Sequence, residues 1–351
     1  MKRNALALAV LASLAAPAVL AQSANPVTLY GRIYGVFESV EAKGGVSPVV
    51  RRSRVSDNSS LLGVRGTEDL GGGLKAFFQL ETPFAVESNA STFASRNSAV
   101  GLQSNAWGSI LFGRWDTPWK VTQNAVDPFG DVSIGGYTAA MGGGGVNNVQ
   151  QSYDRRDQNV VQYWSPTWAG FAARLSYSAN EARTATLNPS REGAAVTYTG
   201  GPLYVALAYD NSKDTAFGTV TPTKQDGMSL AGSYVFGPVK VAGIVQEIKR
   251  TNFTKQKAYM ATATYTAGKH QLHYVYQKAK DGGANGAAIQ PGCNVNMGGY
   301  QYNFSQRTFF IFQYVKVDNN AAGTCNFGAN QLTIAAGQDP QGFATGIRHL
   351  F

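Results

Sequence analysis

Cysteine, histidine and charge are all scarce in this chain. Its 351 residues include two Cys and three His, and Asp, Glu, Lys and Arg together make up 15%. Cys293 and Cys325 have neither His nor acid at ligand spacing, which leaves a metal site or a thiolate nucleophile without support. His270 and His273 differ in strand parity and would point to opposite faces. There is no HExxH pair, and no GxSxG elbow to accompany a Ser-His-Asp hydrolase built on His273. No metal and no cofactor is expected. Beyond residue 21 no apolar run reaches ten residues, and the mean hydropathy is −0.18. That excludes a bundle of membrane helices, each of which needs ~20 apolar residues. The absence of a repeat of fixed period argues against a solenoid.

Glycine and aromatic residues are plentiful instead: 40 Gly, with Phe, Tyr and Trp at 11%. Many strands joined by tight turns fit this composition. Disorder does not, because disordered chains lack aromatic and β-branched residues. Residues 1–21 read as a Sec signal peptide. Lys2 and Arg3 form a positive start, Ala5 to Leu20 is apolar apart from Ser13 and Pro17, and Ala21 is the small residue before cleavage. A membrane anchor is the alternative, but the stretch is short and Ala-rich. Removing Lys2 and Arg3 with the leader takes two charges from the formal +9 and leaves +7. Such an excess suits either a plain basic surface or an anionic partner. In an exported protein Cys293 and Cys325 are expected to form a disulfide between neighbouring loops.

Period-two alternation runs along almost all of residues 22–351. Leu203, Val205, Leu207 and Tyr209 share one face, and Leu272, Tyr274 and Tyr276 oppose Gln271, His273 and Gln277. About sixteen such segments can be counted. The first are 26–40, 59–68, 74–87 and 93–104, and the last is 342–351. Short turns alternate with long polar stretches at roughly 43–57, 116–155, 212–226, 281–297 and 318–341. An even number of ~10-residue strands, with short turns at one end and long loops at the other, is the pattern of a transmembrane β-barrel. Closure pairs every backbone group inside lipid. A secreted β-sandwich would not need turns and loops segregated by length.

Five stretches carry a resemblance. They are Pro26-Val-Thr-Leu-Tyr-Gly31, Leu62-Gly-Val-Arg-Gly-Thr-Glu-Asp-Leu-Gly-Gly-Gly-Leu-Lys-Ala76, Gln79-Leu-Glu81, Phe112-Gly-Arg114 and Gly346-Ile-Arg-His-Leu-Phe351. Together they resemble the general porins of β-proteobacteria. The resemblance implies an all-β, sixteen-stranded antiparallel transmembrane barrel, assembled as a homotrimer, with a third loop (116–155) constricting the pore. It implies that Arg96 and Arg156 are constriction arginines, that Glu81 is an acid of the pore, and that Asp127 and Asp131 form the acidic turn of the loop. It also implies that the terminal Phe351 is an assembly signal. Strand parity adds Arg32 and Arg114 to the lumenal set and puts Lys75, Phe77 and Gln79 beside Glu81. Two positions depart from the pattern: Leu61 stands where an arginine is usual, and Tyr34 where an aspartate is usual. Parity also conflicts at Arg96, which shares a face with Val100 and Leu102 unless a bulge intervenes.

Two further features are weaker. The glycine run 142–145 has no Lys-Ser/Thr and helix after it, so it suits close packing on the wall better than a phosphate cradle. Arg51-Arg-Ser-Arg54 lacks interleaved aromatics and reads as a solvated or lipopolysaccharide-facing loop, with no nucleic-acid partner. The sequence therefore points to an outer-membrane channel of a Gram-negative bacterium, for small hydrophilic and preferentially anionic solutes. A substrate-specific channel of the same fold is the alternative, followed distantly by a barrel hydrolase.

Overall fold

The computed structural model describes residues 27–351 except 131–132, 142–152, 180, 182, 218–219, 252–254 and 281–291. The leader, Asp131 and the glycine run 142–145 lie outside the described residues. In chain order the elements begin with β1 (Thr28–Lys43), β2 (Val49–Asp57), β3 (Leu61–Gly71), β4 (Leu74–Pro83), β5 (Ser98–Ser104) and β6 (Gly108–Asp116). The helix α1 (Pro118–Asn124) follows, then β7 (Arg156–Trp164), β8 (Phe171–Ser178), β9 (Ser190–Gly200), β10 (Leu203–Phe217) and β11 (Val220–Phe236). The rest are β12 (Val239–Arg250), β13 (Gln256–Ala267), β14 (His270–Ala279), β15 (Cys293–Asn303), β16 (Thr308–Asn319) and β17 (Asp339–Leu350).

Neighbouring strands are antiparallel, and β17 closes on β1 with pairs from Arg32–Leu350 to Lys43–Asp339. Beyond Arg32–Leu350, Gly31 and Phe351 exchange backbone hydrogen bonds of 3.0 and 3.1 Å. The seventeen segments make sixteen walls. β1 pairs with β2 from Gly35 to Ala42 and with β3 from Thr28 to Arg32, so β2 and β3 are two halves of one wall strand. Their junction breaks at Ser59, whose φ of 64° is left-handed.

Several expected boundaries move. Residues 49–57 are strand rather than loop, as are 203–217 and 220–236 around the expected loop 212–226. These are walls whose polar ends carry no apolar face to announce them. The fourth wall starts at Ser98 rather than 93, and the third ends at Pro83 rather than 87. The parity conflict at Arg96 disappears, because Arg96 precedes the strand. Cys293 opens β15 instead of lying in a loop, and it is bonded to Cys325 across 6.3 Å between Cα atoms.

The largest buried apolar cluster lies inside the barrel. Inward residues of β12–β16, including Ile244, Met260, Val275, Met297 and Val315, pack against Val126, Phe129, Ile134, Tyr137 and Met141 of the segment between β6 and β7. Phe327 and Leu332, from the segment between β16 and β17, join them. The inner loop therefore folds against one side of the lumen. It enters through α1, where Thr117 caps the helix by accepting from the Lys120 N–H and Pro118 starts it, a sequence suited to a helix N-terminus. Glutamines fasten it to the wall. Gln123 donates to Gln246 at 2.6 Å, Gln246 donates to the Met141 carbonyl at 2.7 Å, and Gln277 accepts from the Ala140 N–H at 3.0 Å. Gly135 passes so close that an added Cβ would fall 1.6 Å from the Met297 sulfur.

Candidate channel constriction

The inner loop leaves a cavity of about 400 Å³ between itself and the wall of β1 and β14–β17. Arg32, Arg96, Lys120 and Arg348 line it, together with Asp116 and Asp127, and Tyr34, Gln271, Gln301 and Phe309 complete much of its surface.

Each charged group is held differently. The strand break turns the Ser59 carbonyl and hydroxyl toward the lumen. Arg32 donates from Nε to that carbonyl at 2.6 Å, and Arg96 donates to that hydroxyl at 2.9 Å. Arg96 also sits 3.7 Å from Glu81, which accepts from the Tyr30 hydroxyl at 2.9 Å. Lys120 pairs with Asp154 at 3.2 Å, and Asp154 in turn accepts from the Tyr137 hydroxyl. Arg348 lies over the Phe309 ring at 4.1 Å, with Tyr34 across from it on β1. Among the described residues no acid comes within ion-pair distance of Arg348.

The two acids are occupied. Asp116 is ion-paired with Arg156 at 2.9 Å and accepts from Asn97 at 2.9 Å. Asp127 accepts the backbone N–H groups of Phe129 and Tyr137 at 3.0 and 2.7 Å, so it shapes the turn. Below the loop a second network carries the chain into β7. Arg155 bonds Asp210 at 2.8 and 3.0 Å and Asp157 at 2.7 Å, and Arg191 reaches Asp157 at 3.1 Å.

Of the residues expected from sequence, Arg32, Arg96 and Asp127 line the cavity. Glu81 stands behind Arg96. Arg156 does not line the cavity but holds Asp116, which does. Arg114 does not line this cavity; it shares a cleft with Phe93, Phe112 and Val160, while Leu111 is fully buried and Phe112 is 52% exposed. Leu111 is sheltered by Ala99, Trp115 and Val160 within the barrel, so it does not mark the lipid face. Arg51-Arg-Ser-Arg54 is corrected from loop to strand. Arg51 pairs with Glu41 on the outer face, and Arg54 pairs inward with buried Glu38 at 2.6 Å. Sequence reasoning missed Arg348, Lys120 and Asp116. Arg348 alternates with Ile347, which is exposed on the outer face, and that parity was the signal that could have found it. His273 is tucked beneath the loop, against Phe129 and hydrogen-bonded to Thr264 at 3.0 Å, which leaves it no place as a catalytic base.

A closed antiparallel barrel whose own loop narrows a charged interior is a membrane channel of the porin class. Residues 7–322 match the family described as Gram-negative porin. The chain is 33% identical to outer membrane porin protein 32 of Delftia acidovorans, over 100% of both chains. It is 34% identical to an outer membrane porin protein of Bordetella pertussis, over 69% of this chain and 68% of that one. Among solved structures, the anion-selective porin from Comamonas acidovorans superposes with a TM-score of 0.80 at 28% identity, covering 93% of this chain and 100% of that one. The chain belongs to the Gram-negative porin family. It is a multi-pass outer-membrane β-barrel that forms a diffusion channel, and not an enzyme.

Proposed function

We propose that this channel prefers anions, and that Arg32, Arg96, Lys120 and Arg348 produce the preference. The observation that carries the reading is the charge balance at the narrow cavity. Among the described residues four cations line it against two acids, and both acids are committed to other partners. Tyr34 sharpens the balance: with a tyrosine where the family resemblance expects an aspartate, Arg348 faces no acid across the strand pair. Fixed charges beside low-dielectric walls raise the local concentration of counter-ions. Charges within ~8 Å of the narrowest point act at physiological salt, and more distant ones are screened. The likeness to an anion-selective porin supports the same direction. In this reading Arg156 acts by restraining Asp116.

The assembly we propose is a homotrimer. Exposed Tyr177, Tyr209, Tyr234, Tyr265, Tyr274 and Tyr314 lie on β8–β16, while among the described residues the exposed Tyr and Trp of the β1–β6 arc are limited to Trp107 in the turn between β5 and β6. Tyr and Trp mark membrane interfaces, so the arc poor in them is the arc that meets other copies. Residues 1–21 act as signal peptide, and Phe351 acts as assembly signal beside Gly31. Lys43 and Arg51, on the outer face at the loop end of β1 and β2, face lipopolysaccharide headgroups. The solutes are small, hydrophilic and preferentially anionic.

The test is the zero-current potential of the reconstituted protein across a potassium chloride gradient. The expected sign is that of chloride-selective current, with selectivity growing as salt is lowered. A cation-selective sign at low salt would reject the reading.

A further inference from the structure

A second cleft, of about 380 Å³, opens inside the barrel on the wall of β3–β7. Gln103, Ser109 and Trp164 of its lining stand within two residues of short turns, so it lies toward the turn end of the passage. Rings make up much of its surface: Phe77, Trp115 and Trp164, set among Gln79, Gln103 and Ser109. The charge in this lining is Arg65, with no acid among the described lining residues. Its guanidinium lies over the Tyr30 ring at 4.8 Å, and Arg174 lies over Trp164 at 4.6 Å.

Packing accounts for part of this. The Trp115 and Trp164 rings are 5.3 Å apart and shelter one another. Packing does not account for open volume beside the rings, nor for two arginines stacked on aromatic faces without an acid at ion-pair distance. Ring faces in a wet passage attract solutes that carry rings, and guanidinium groups at their edge attract a carboxylate. The volume falls at the small end of the ~300–1,000 Å³ typical of small-molecule sites.

We propose that this cleft is a transit site for aromatic monocarboxylates. The solute ring stacks on the Phe77–Trp164 surface, and its carboxylate pairs with Arg65 or Arg174. The proposal rests on the anion-preferring reading of the constriction, which lies in series with the cleft and admits the solute.

The experiment titrates sodium benzoate, cyclohexanecarboxylate and acetate against the chloride current of the reconstituted channel. Benzoate is expected to reduce the current saturably. Cyclohexanecarboxylate, equal in charge but without a π face, should require about 3–10-fold higher concentration for the same reduction. Acetate should show no saturation. Trp164→Leu and Phe77→Leu should each raise the half-blocking benzoate concentration while leaving the chloride-to-potassium permeability ratio as in wild type. Trp164→Phe, the conservative variant, should keep most of the block. Equal block by benzoate and cyclohexanecarboxylate would overturn the proposal. So would unchanged benzoate block in both leucine variants that run as native, heat-dissociable assemblies. A wild-type channel without chloride preference would instead reject the constriction reading, and the benzoate series would still judge the cleft.

Discussion

Along β12–β16 the inward positions are covered by the inner loop: Ile244, Met260, Val275, Met297 and Val315 are all nearly fully buried, and the glutamines set among them bond the loop. Along β3–β5 the same inward positions carry Arg65, Gln79, Glu81 and Gln103, which border the lumen. A single barrel thus uses two interiors, one resembling the core of a globular domain and one resembling a wetted surface. Which interior a strand receives depends on where the loop lies, not on the strand itself. β16 shows the consequence. Phe309, Ile311, Val315 and Val317 are buried inside while Phe312 and Tyr314 are exposed outside, so both of its faces are apolar.

Removing loop-side packing should damage this arrangement most. Phe327→Ala takes a fully buried ring from the cluster where the last long loop meets the inner one, and should cost ~3–5 kcal/mol. Urea unfolding of the refolded barrel would measure the loss, and single-channel recording should show a larger, noisier conductance as the inner loop loosens. Replacing Cys293 and Cys325 by Ala should come next, at ~2–4 kcal/mol for a typical native bridge. That bond ties the last long loop to β15, and this loop touches the inner one where Gly328 N–H donates to the Ile134 carbonyl at 2.9 Å. Reduction of wild type should therefore raise conductance noise in the same direction. Gln246→Leu should have the smallest effect of the three, ~1–3 kcal/mol, because it strands the buried Met141 carbonyl. The equivalent polar change on the open wall, Gln103→Leu, should leave stability within ~0.5 kcal/mol. Similar losses on both walls would contradict the distinction between them.

Much of the fold was legible because lipid imposes alternation on the outer face of every wall. What failed was legible only with the interior in view. The wall ends 49–57 and 212–226 project beyond any apolar environment, so nothing in their pattern separates strand from loop. The constriction was partly readable. Arg32 and Arg96 came from parity and resemblance, whereas Arg348 was missed although it alternates with Ile347 and His349 on the last strand. Lys120 could not be read, since its position depends on how α1 turns into the lumen. Ser59 could not be read either. Its role as an anchor for two arginines comes from a break in the wall, and no residue type at that point announces a break.

The central claim is that charges at the narrow cavity, rather than the total charge of the chain, set the ion preference. Arg96→Ala with Arg348→Ala, compared with Arg51→Ala and Arg52→Ala, tests it most directly, since both pairs remove two positive charges. Zero-current potentials should be recorded for each in a potassium chloride gradient at low and physiological salt. The cavity pair is expected to shift strongly toward cations, most at low salt, while the rim pair stays close to wild type because neither of its residues lines the cavity and charges more than ~8 Å from it are screened at physiological salt. Equal shifts for the two pairs at physiological salt, or no shift for the cavity pair at low salt, would contradict the account.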